Sequence, residues 1–331
     1  MCDAMSQENQ FFLKVENLSI HYPLRAAGLF SEPRVLRAVD DISFEVAQGT
    51  SFGIVGESGS GKSTTVAAIM RLVDITAGRI MFDGAALHTL AGESLRVFRR
   101  RLQIIFQDPY SSLNPRARLG EIVRDPLDIQ KIGTDRERDA RVMELLELVG
   151  FRPEARHAFP HQFSGGQRQR VGIARALATN PELVVCDEPV SALDVAIQAQ
   201  ILNLLKRLQR ERGLTFIFIS HDLGVVRYMC DHAAVMYLGK IVESGTTARL
   251  FSNPAHPYTK ALLAARPSIH ARERPVTDKV RAIGDPPSPI DIPPGCRFAS
   301  RCPFAERRCL DHAPELHMIE EGHRVACHLA M

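Results

Sequence analysis

Residues 56–64 read GESGSGKST, and this stretch decides the fold. It matches G-x-x-x-x-G-K-[S/T], with Gly56, Gly61, Lys62 and Ser63 at the fixed positions. Glu57, Ser58, Gly59 and Ser60 fill the interval, and Thr64 follows. Glycines let a backbone approach phosphate closely, and inward-facing N–H groups cradle the anion. Lys62 is the residue type that neutralises β- and γ-phosphate charge, and the Ser63 hydroxyl is a Mg²⁺ ligand. Such a loop works only between a strand and a helix. Upstream, TSFGIVG is a compact apolar run with β-branched residues, which predicts a buried strand. Downstream, a helix is expected from Lys62 through STTVAAIMRLV.

Further out, the chain alternates strands and helices. LKVENLSIH (13–21) and AVDDISFEVAQG (38–49) alternate like strands, with a loop, LRAAGLFSEPR (24–34), between them. TDRERDARVMELLELVG (134–150) puts Val142, Leu145, Leu146 and Val149 on one helical face and stops at glycine. AIQAQILNLLKRLQRERG (196–213) does the same with Ile197, Ile201, Leu204, Leu205 and Leu208. ELVVCDEP (182–189) and LTFIFISH (214–221) are further buried strands, and AAVMYLGKIVESG (233–245) is a hairpin turning at Leu238–Lys240. This order predicts an α/β fold with a mostly parallel sheet covered on both faces. A phosphate loop needs an acidic partner on a nearby strand. In LVVCDE, Asp187 and Glu188 emerge at the strand's C-terminal end. Asp187 suits the Mg²⁺ shell, and Glu188 suits a general base acting on water.

Composition narrows the class. The chain has 331 residues, enough for two domains, and a net charge of +3, which demands no nucleic-acid partner. The short basic runs at Arg99–Arg101 and Arg168–Arg170 read as solvated helix faces. The N-terminus does not read as a signal peptide, and no apolar run reaches the ~18 residues of a spanning helix, so a membrane role is expected to be peripheral. From Asn253 prolines crowd the chain, including Pro254, Pro267, Pro275 and Pro286, which marks a linker and a small appended domain.

Between the phosphate loop and the acidic strand lies FSGGQRQR (163–170). SGGQ in that place resembles the signature of ATP-binding cassette (ABC) ATPases. Gln107 in IIFQDP matches their Q-loop, Ser191–Asp194 (SALD) the D-loop, and His221 in FISHD the switch histidine. Tyr22 lies where the family places an aromatic residue that stacks on adenine. Phe163 replaces the usual Leu, and Cys186 replaces a plain hydrophobe.

The resemblance implies ATP and Mg²⁺ as ligands. It implies a RecA-like core with an antiparallel β subdomain and a helical subdomain inserted at about 106–175, the whole nucleotide-binding domain spanning 11–252. It also implies a head-to-tail ATPase dimer in which Ser164, Gly165, Gly166 and Gln167 cap the γ-phosphate held by the other subunit. Gln107 would sense Mg²⁺ and the attacking water, and His221 would contact the γ-phosphate.

IIFQDPYSSLNPR, NPAHPYTKALLAARP and the proline-rich tail narrow the resemblance to the ATPase subunits of oligopeptide and dipeptide importers, OppF/DppF-like, whose C-terminal extension would span 253–331. Implied partners are two membrane permeases, a second ATPase subunit and an external solute-binding protein. The implied location is peripheral, on the cytoplasmic face of the membrane. An importer of nickel or another solute stays open, as does an ABC ATPase acting on nucleic acid or ribosomes. The single cassette, and the lack of sustained heptads between Lys62 and Ser164, weigh against the latter.

The tail poses a separate question. Of seven cysteines, Cys2, Cys186 and Cys230 are scattered, while Cys296, Cys302, Cys309 and Cys327 cluster as C-x₅-C-x₆-C-x₁₇-C. In a non-secreted chain such clusters point to metal or redox chemistry. The spacing lacks the short pair typical of zinc and suits a [4Fe–4S] cluster better; zinc and four unrelated thiols remain alternatives. His312, His317, His323 and His328 read as surface histidines, or else as substitute ligands.

Overall fold

The computed structural model describes residues 11–24, 34–265, 284–285 and 287–330. Most of the expected loop at 24–34, together with Cys2, Pro267, Pro275 and Pro286, lies outside the described residues. The first part of the chain carries β1 (Leu13–Leu24), β2 (Arg34–Val46), β3 (Ser51–Val55), α1 (Lys62–Ile69), β4 (Ala77–Phe82), β5 (Ala85–Ala86), α2 (Gly92–Arg101) and β6 (Leu102–Ile105). Next come α3 (Leu119–Gln130), α4 (Asp135–Leu148), α5 (Gly165–Ala176), β7 (Leu183–Asp187), α6 (Val195–Arg212) and β8 (Thr215–Ser220). The remainder holds α7 (Leu223–Met229), β9 (His232–Tyr237), β10 (Lys240–Thr246), α8 (Thr247–Ser252), α9 (Pro257–Ala264), α10 (Arg307–Asp311), β11 (His317–Glu320) and β12 (His323–Val325).

The chain divides into two compact units. The first comprises residues 1–46, 51–88 and 220–331. One of its sheets is antiparallel, in the order β2-β1-β4-β5. There Leu13, Val15, Leu18 and Ile20 of β1 are buried. Register shifts between Val15 and His21 interrupt the β1–β2 ladder before it resumes to Leu24. Its second set of strands runs β11-β12-β10-β9-β3, with β3 parallel to β9 and the rest antiparallel. All five residues of β3 are buried, the continuous apolar run that burial on both faces demands. Ile54 and Val55 each contribute about 1.5–3 kcal/mol by leaving water.

The expected hairpin forms from β9 and β10, and its turn places Leu238 and Gly239 at φ 44° and 80°. The β11–β12 hairpin was not legible in the sequence. Its strands are short and largely polar, and β12 gains its place by pairing with β10 through Glu243, Ser244 and Gly245.

The second unit comprises residues 47–50 and 89–219. Its strands β6, β7 and β8 are parallel in that order, in the registers Ile105↔Cys186 and Cys186↔Phe218. Helices α3, α4 and α5 pack on one another. The anticipated face of α4 is buried at Val142, Leu145 and Leu146, and Val149 just beyond it is buried too. Thr134 caps the helix reciprocally with Glu137. Asp194 caps α6 by accepting from the Ile197 N–H, and Gly213 ends that helix at φ 64°.

Candidate active site

The phosphate loop belongs to the first unit. Gly61 precedes α1 at φ 104°, and a Cβ there would stand 2.3 Å from the Ala38 carbonyl oxygen, so only glycine is accommodated. Lys62 is buried, and its Nζ donates to the Gly56 and Glu57 carbonyls, each at 2.8 Å. Thr65 Oγ1 donates to the Gly61 carbonyl at 2.9 Å. Ser58, Gly59 and Ser63 are exposed at the mouth of the loop. Ser60 Oγ is buried with no partner among the described residues, although the Ser60 carbonyl accepts from the Gly239 N–H. A hydroxyl oxygen at the start of a helix beside an open loop is a donor set that suits Mg²⁺ and phosphate. Tyr22 lies near the end of β1 opposite Leu36 and is exposed, so a partner can reach it. His221 is exposed immediately after β8.

Asp187, Glu188, Gln107 and the SGGQ segment belong to the second unit. Asp187 ends β7 half-buried. Glu188 follows at φ 46°, and its N–H donates to the Ile219 carbonyl at 3.0 Å. Gln107 Nε2 donates to Glu188 Oε2 at 3.0 Å, so these two expected residues meet directly. Ser191 Oγ donates to the Glu188 carbonyl at 3.1 Å. Gln198 Nε2 holds the Val190 and Leu193 carbonyls, which fixes the loop that follows. Ser164 is the N-cap of α5. Its Oγ accepts from the Gln167 N–H, and Gln167 Oε1 accepts from the Ser164 N–H. Gly165 and Gly166 form the first turn of that helix. Cys186 is fully buried in β7, as a small hydrophobe would be.

The four tail cysteines converge. Cys296, Cys302, Cys309 and Cys327 line one small void with Phe298 and Leu329. The Cys296 N–H donates to the Cys309 carbonyl at 2.7 Å. Burial pushes the Cys296 thiol up to about 11 and also raises Cys302 and Cys327; neighbouring thiols add to each shift. The expected iron–sulfur or zinc group gains no support from this arrangement. Among the described residues, no group of three or more His, Cys, Asp or Glu side chains is set to hold a metal ion.

Of the tail histidines, His312 and His317 are exposed, and His323 departs from the surface reading. His323 is fully buried, because its Nε2 pairs with Glu243 Oε1 at 2.8 Å and locks β12 to β10. His328 lines the thiol void, and its Nε2 lies 2.8 Å from the His312 carbonyl.

Sequence reasoning missed one set of partners altogether. Glu57 of the phosphate loop pairs with Arg301, and its N–H donates to Tyr258 Oη. Those partners lie 244 and 201 positions away, and no local pattern announces them.

Comparison with known proteins settles the family. Residues 39–191 match the family model described as ABC transporter. A putative peptide import ATP-binding protein of Brucella ovis is 49% identical over 315 residues, covering 95% of this chain and 96% of the relative.

The chain belongs to the ABC transporter family.

Two Bacillus subtilis relatives agree with this. The putative oligopeptide transport ATP-binding protein YkfD is 48% identical over 96% of this chain and 95% of its own length. The oligopeptide transport ATP-binding protein AppF is 46% identical over 98% and 99%. Residues 242–309 match a second model, the C-terminal region of oligopeptide/dipeptide transporters. Among solved structures, the dimeric post-hydrolysis state of the cassette MJ0796, bound to ADP and Pi, superposes with TM-score 0.63 at 30% identity, over 71% of this chain and 98% of that one. CbiO1 of Clostridium perfringens gives 0.64 at 27%, over 74% and 92%. Among the described residues no helix is long and apolar enough to cross a membrane.

Proposed function

We propose that this chain is the ATP-hydrolysing subunit that powers import of oligopeptides or dipeptides through a membrane permease complex. One observation carries the reading: an ABC cassette and the C-terminal region of oligopeptide/dipeptide transporters match the same chain. The nucleotide-binding domain spans 11–252, with its helical subdomain at about 106–175, and the extension spans 253–331. Two permeases, a second ATPase subunit and an external solute-binding protein complete the assembly, with this chain peripheral on the cytoplasmic face.

In this reading the open amides of the 56–64 loop and the Lys62 ammonium bind the phosphates, and Tyr22 stacks on the adenine. Mg²⁺, when bound, neutralises charge on the β- and γ-phosphate oxygens; Ser63, Gln107 and Asp187 supply its protein-side oxygens. Glu188 takes the proton of the attacking water, and the Gln107 amide orients its carboxylate. His221 steadies the γ-phosphate. Ser164, Gly165, Gly166 and Gln167, at the N-terminus of α5, cap the nucleotide of the second subunit.

The finer reading of the tail is that its four thiols turn onto a [4Fe–4S] cluster. Its support is the clustering of Cys296, Cys302, Cys309 and Cys327 in the sequence. A brown chain with iron after oxygen-free purification bears it out. A colourless chain with zinc selects zinc, and a folded metal-free chain leaves a packed thiol knot.

The function is tested by co-purifying the chain with its permeases and measuring ATP turnover in proteoliposomes. Binding protein loaded with peptide is expected to stimulate turnover. Stimulation by nickel, with none by peptides, would contradict the substrate class.

A further inference from the structure

The Gly56–Glu57 peptide is held along both edges. Its carbonyl, on Gly56, accepts from Lys62 Nζ at 2.8 Å. Its N–H, on Glu57, donates to Tyr258 Oη at 2.9 Å. A trans peptide is planar with these two groups on opposite edges, so fixing one fixes the direction of the other. Tyr258 therefore sets the carbonyl that holds Lys62.

The Glu57 side chain is gripped as well. Arg301 Nη1 lies 2.8 Å from Oε2, and Nη2 lies 3.1 Å from Oε1, a two-pronged pair. Arg301 is itself set in place. It is 7% exposed, its Nε donates to the Gly284 carbonyl at 3.1 Å, and its guanidinium lies 5.7 Å from the Tyr237 ring and 5.9 Å from that of Phe298. Tyr237, Tyr258 and Phe298 pack their rings mutually at 4.7–5.3 Å. Burial pushes His256, beneath them, down to about 3, so its neutral Nδ1 accepts from the Tyr258 N–H. The amide, carbonyl and carboxylate of Glu57 are thus all engaged, the amide and the carboxylate by residues of the C-terminal segment.

We propose that Arg301 and Tyr258 are positioning residues for nucleotide binding: Tyr258 orients the peptide that aims Lys62, and Arg301 neutralises the Glu57 carboxylate beside the incoming phosphates. The inference rests on the ATP-site reading above. Without Arg301, Glu57 is an uncompensated negative charge at the mouth of an anion site, and Coulomb repulsion opposes the phosphates. Lysine at 301 keeps the charge but loses the fork.

The test is calorimetric binding of Mg·ATP to the full chain, with melting temperature as the control for folding. Arg301→Gln is expected to weaken binding about tenfold, and Arg301→Lys and Tyr258→Phe about threefold each. In turnover assays the KM for ATP rises more than kcat falls, because the losses act on binding. In a Glu57→Gln background, Arg301→Gln costs nothing further, since the charge it offsets is gone. If Arg301→Gln fails to fold, Arg301→Lys and Tyr258→Phe carry the test. Unchanged binding in those two variants overturns the proposal. So does a Glu57→Gln/Arg301→Gln pair whose losses multiply, the mark of a merely structural arginine. A wild-type chain that binds no ATP overturns the ATP-site reading as well, whereas wild-type binding beside unaffected variants overturns this inference alone.

Discussion

The phosphate loop and the cysteine knot are two short stretches of the same compact unit, and they are organised in opposite ways. In the phosphate loop the backbone is the reagent. Its direction is fixed by Gly61 at φ 104°, by the Lys62 bonds to two carbonyls and by the grip on Glu57. In the knot the reagents are side chains brought together from separate turns, which are tied by backbone bonds such as Cys296 N–H to the Cys309 carbonyl at 2.7 Å and Ala299 N–H to the Cys296 carbonyl at 2.9 Å. A site built from backbone is complete once the chain folds. One built from converging thiols is completed by whatever closes it, whether protons or a metal.

The sharpest way to break this comparison is at Gly61. Gly61→Ala would press a Cβ to 2.3 Å from the Ala38 oxygen in a conformation alanine avoids. We expect loss of ATP binding and a destabilisation of about 3 kcal/mol or more in urea unfolding. A variant that binds ATP normally would mean that the loop is less backbone-determined than described.

What was readable in advance follows the same division. The phosphate loop, helices α4 and α6 and the buried strands β3, β7 and β8 are local patterns: an apolar period, a glycine stop, a compact β-branched run. They stood where the residues placed them. The Gln107–Glu188 meeting was named only as two separate motifs, because their contact is tertiary. Arg301, Tyr258 and the buried Glu243–His323 pair carried no local signal, since each acts across at least 80 positions. His323 read as a surface residue because a lone histidine in a polar strand looks solvated until its carboxylate partner is found.

A smaller effect tests the knot. Burial raises the Cys296 thiol from 9.0 to about 11. A raised value means that the folded chain holds its proton more tightly than the unfolded chain does. The stabilisation is therefore complete below about pH 9 and is lost as pH climbs towards 11. For the metal-free chain we expect Cys296 to contribute a fall on the order of 2 kcal/mol across that window, so the slope is shallower in Cys296→Ser, where the raised Cys302 and Cys327 thiols still contribute. A metal-loaded knot holds thiolates already and should show no such fall. An identical slope in wild type and Cys296→Ser would remove Cys296 from the account.

The most direct measurement of the central claim is single-turnover ATP hydrolysis by the full chain and by Glu188→Gln, with Mg·ATP affinity measured beside it. The account predicts that the wild type hydrolyses ATP, while the variant binds it with similar affinity and hydrolyses it at least about 100-fold more slowly. A variant that keeps more than about a tenth of the wild-type rate would contradict the assignment of Glu188 as the base.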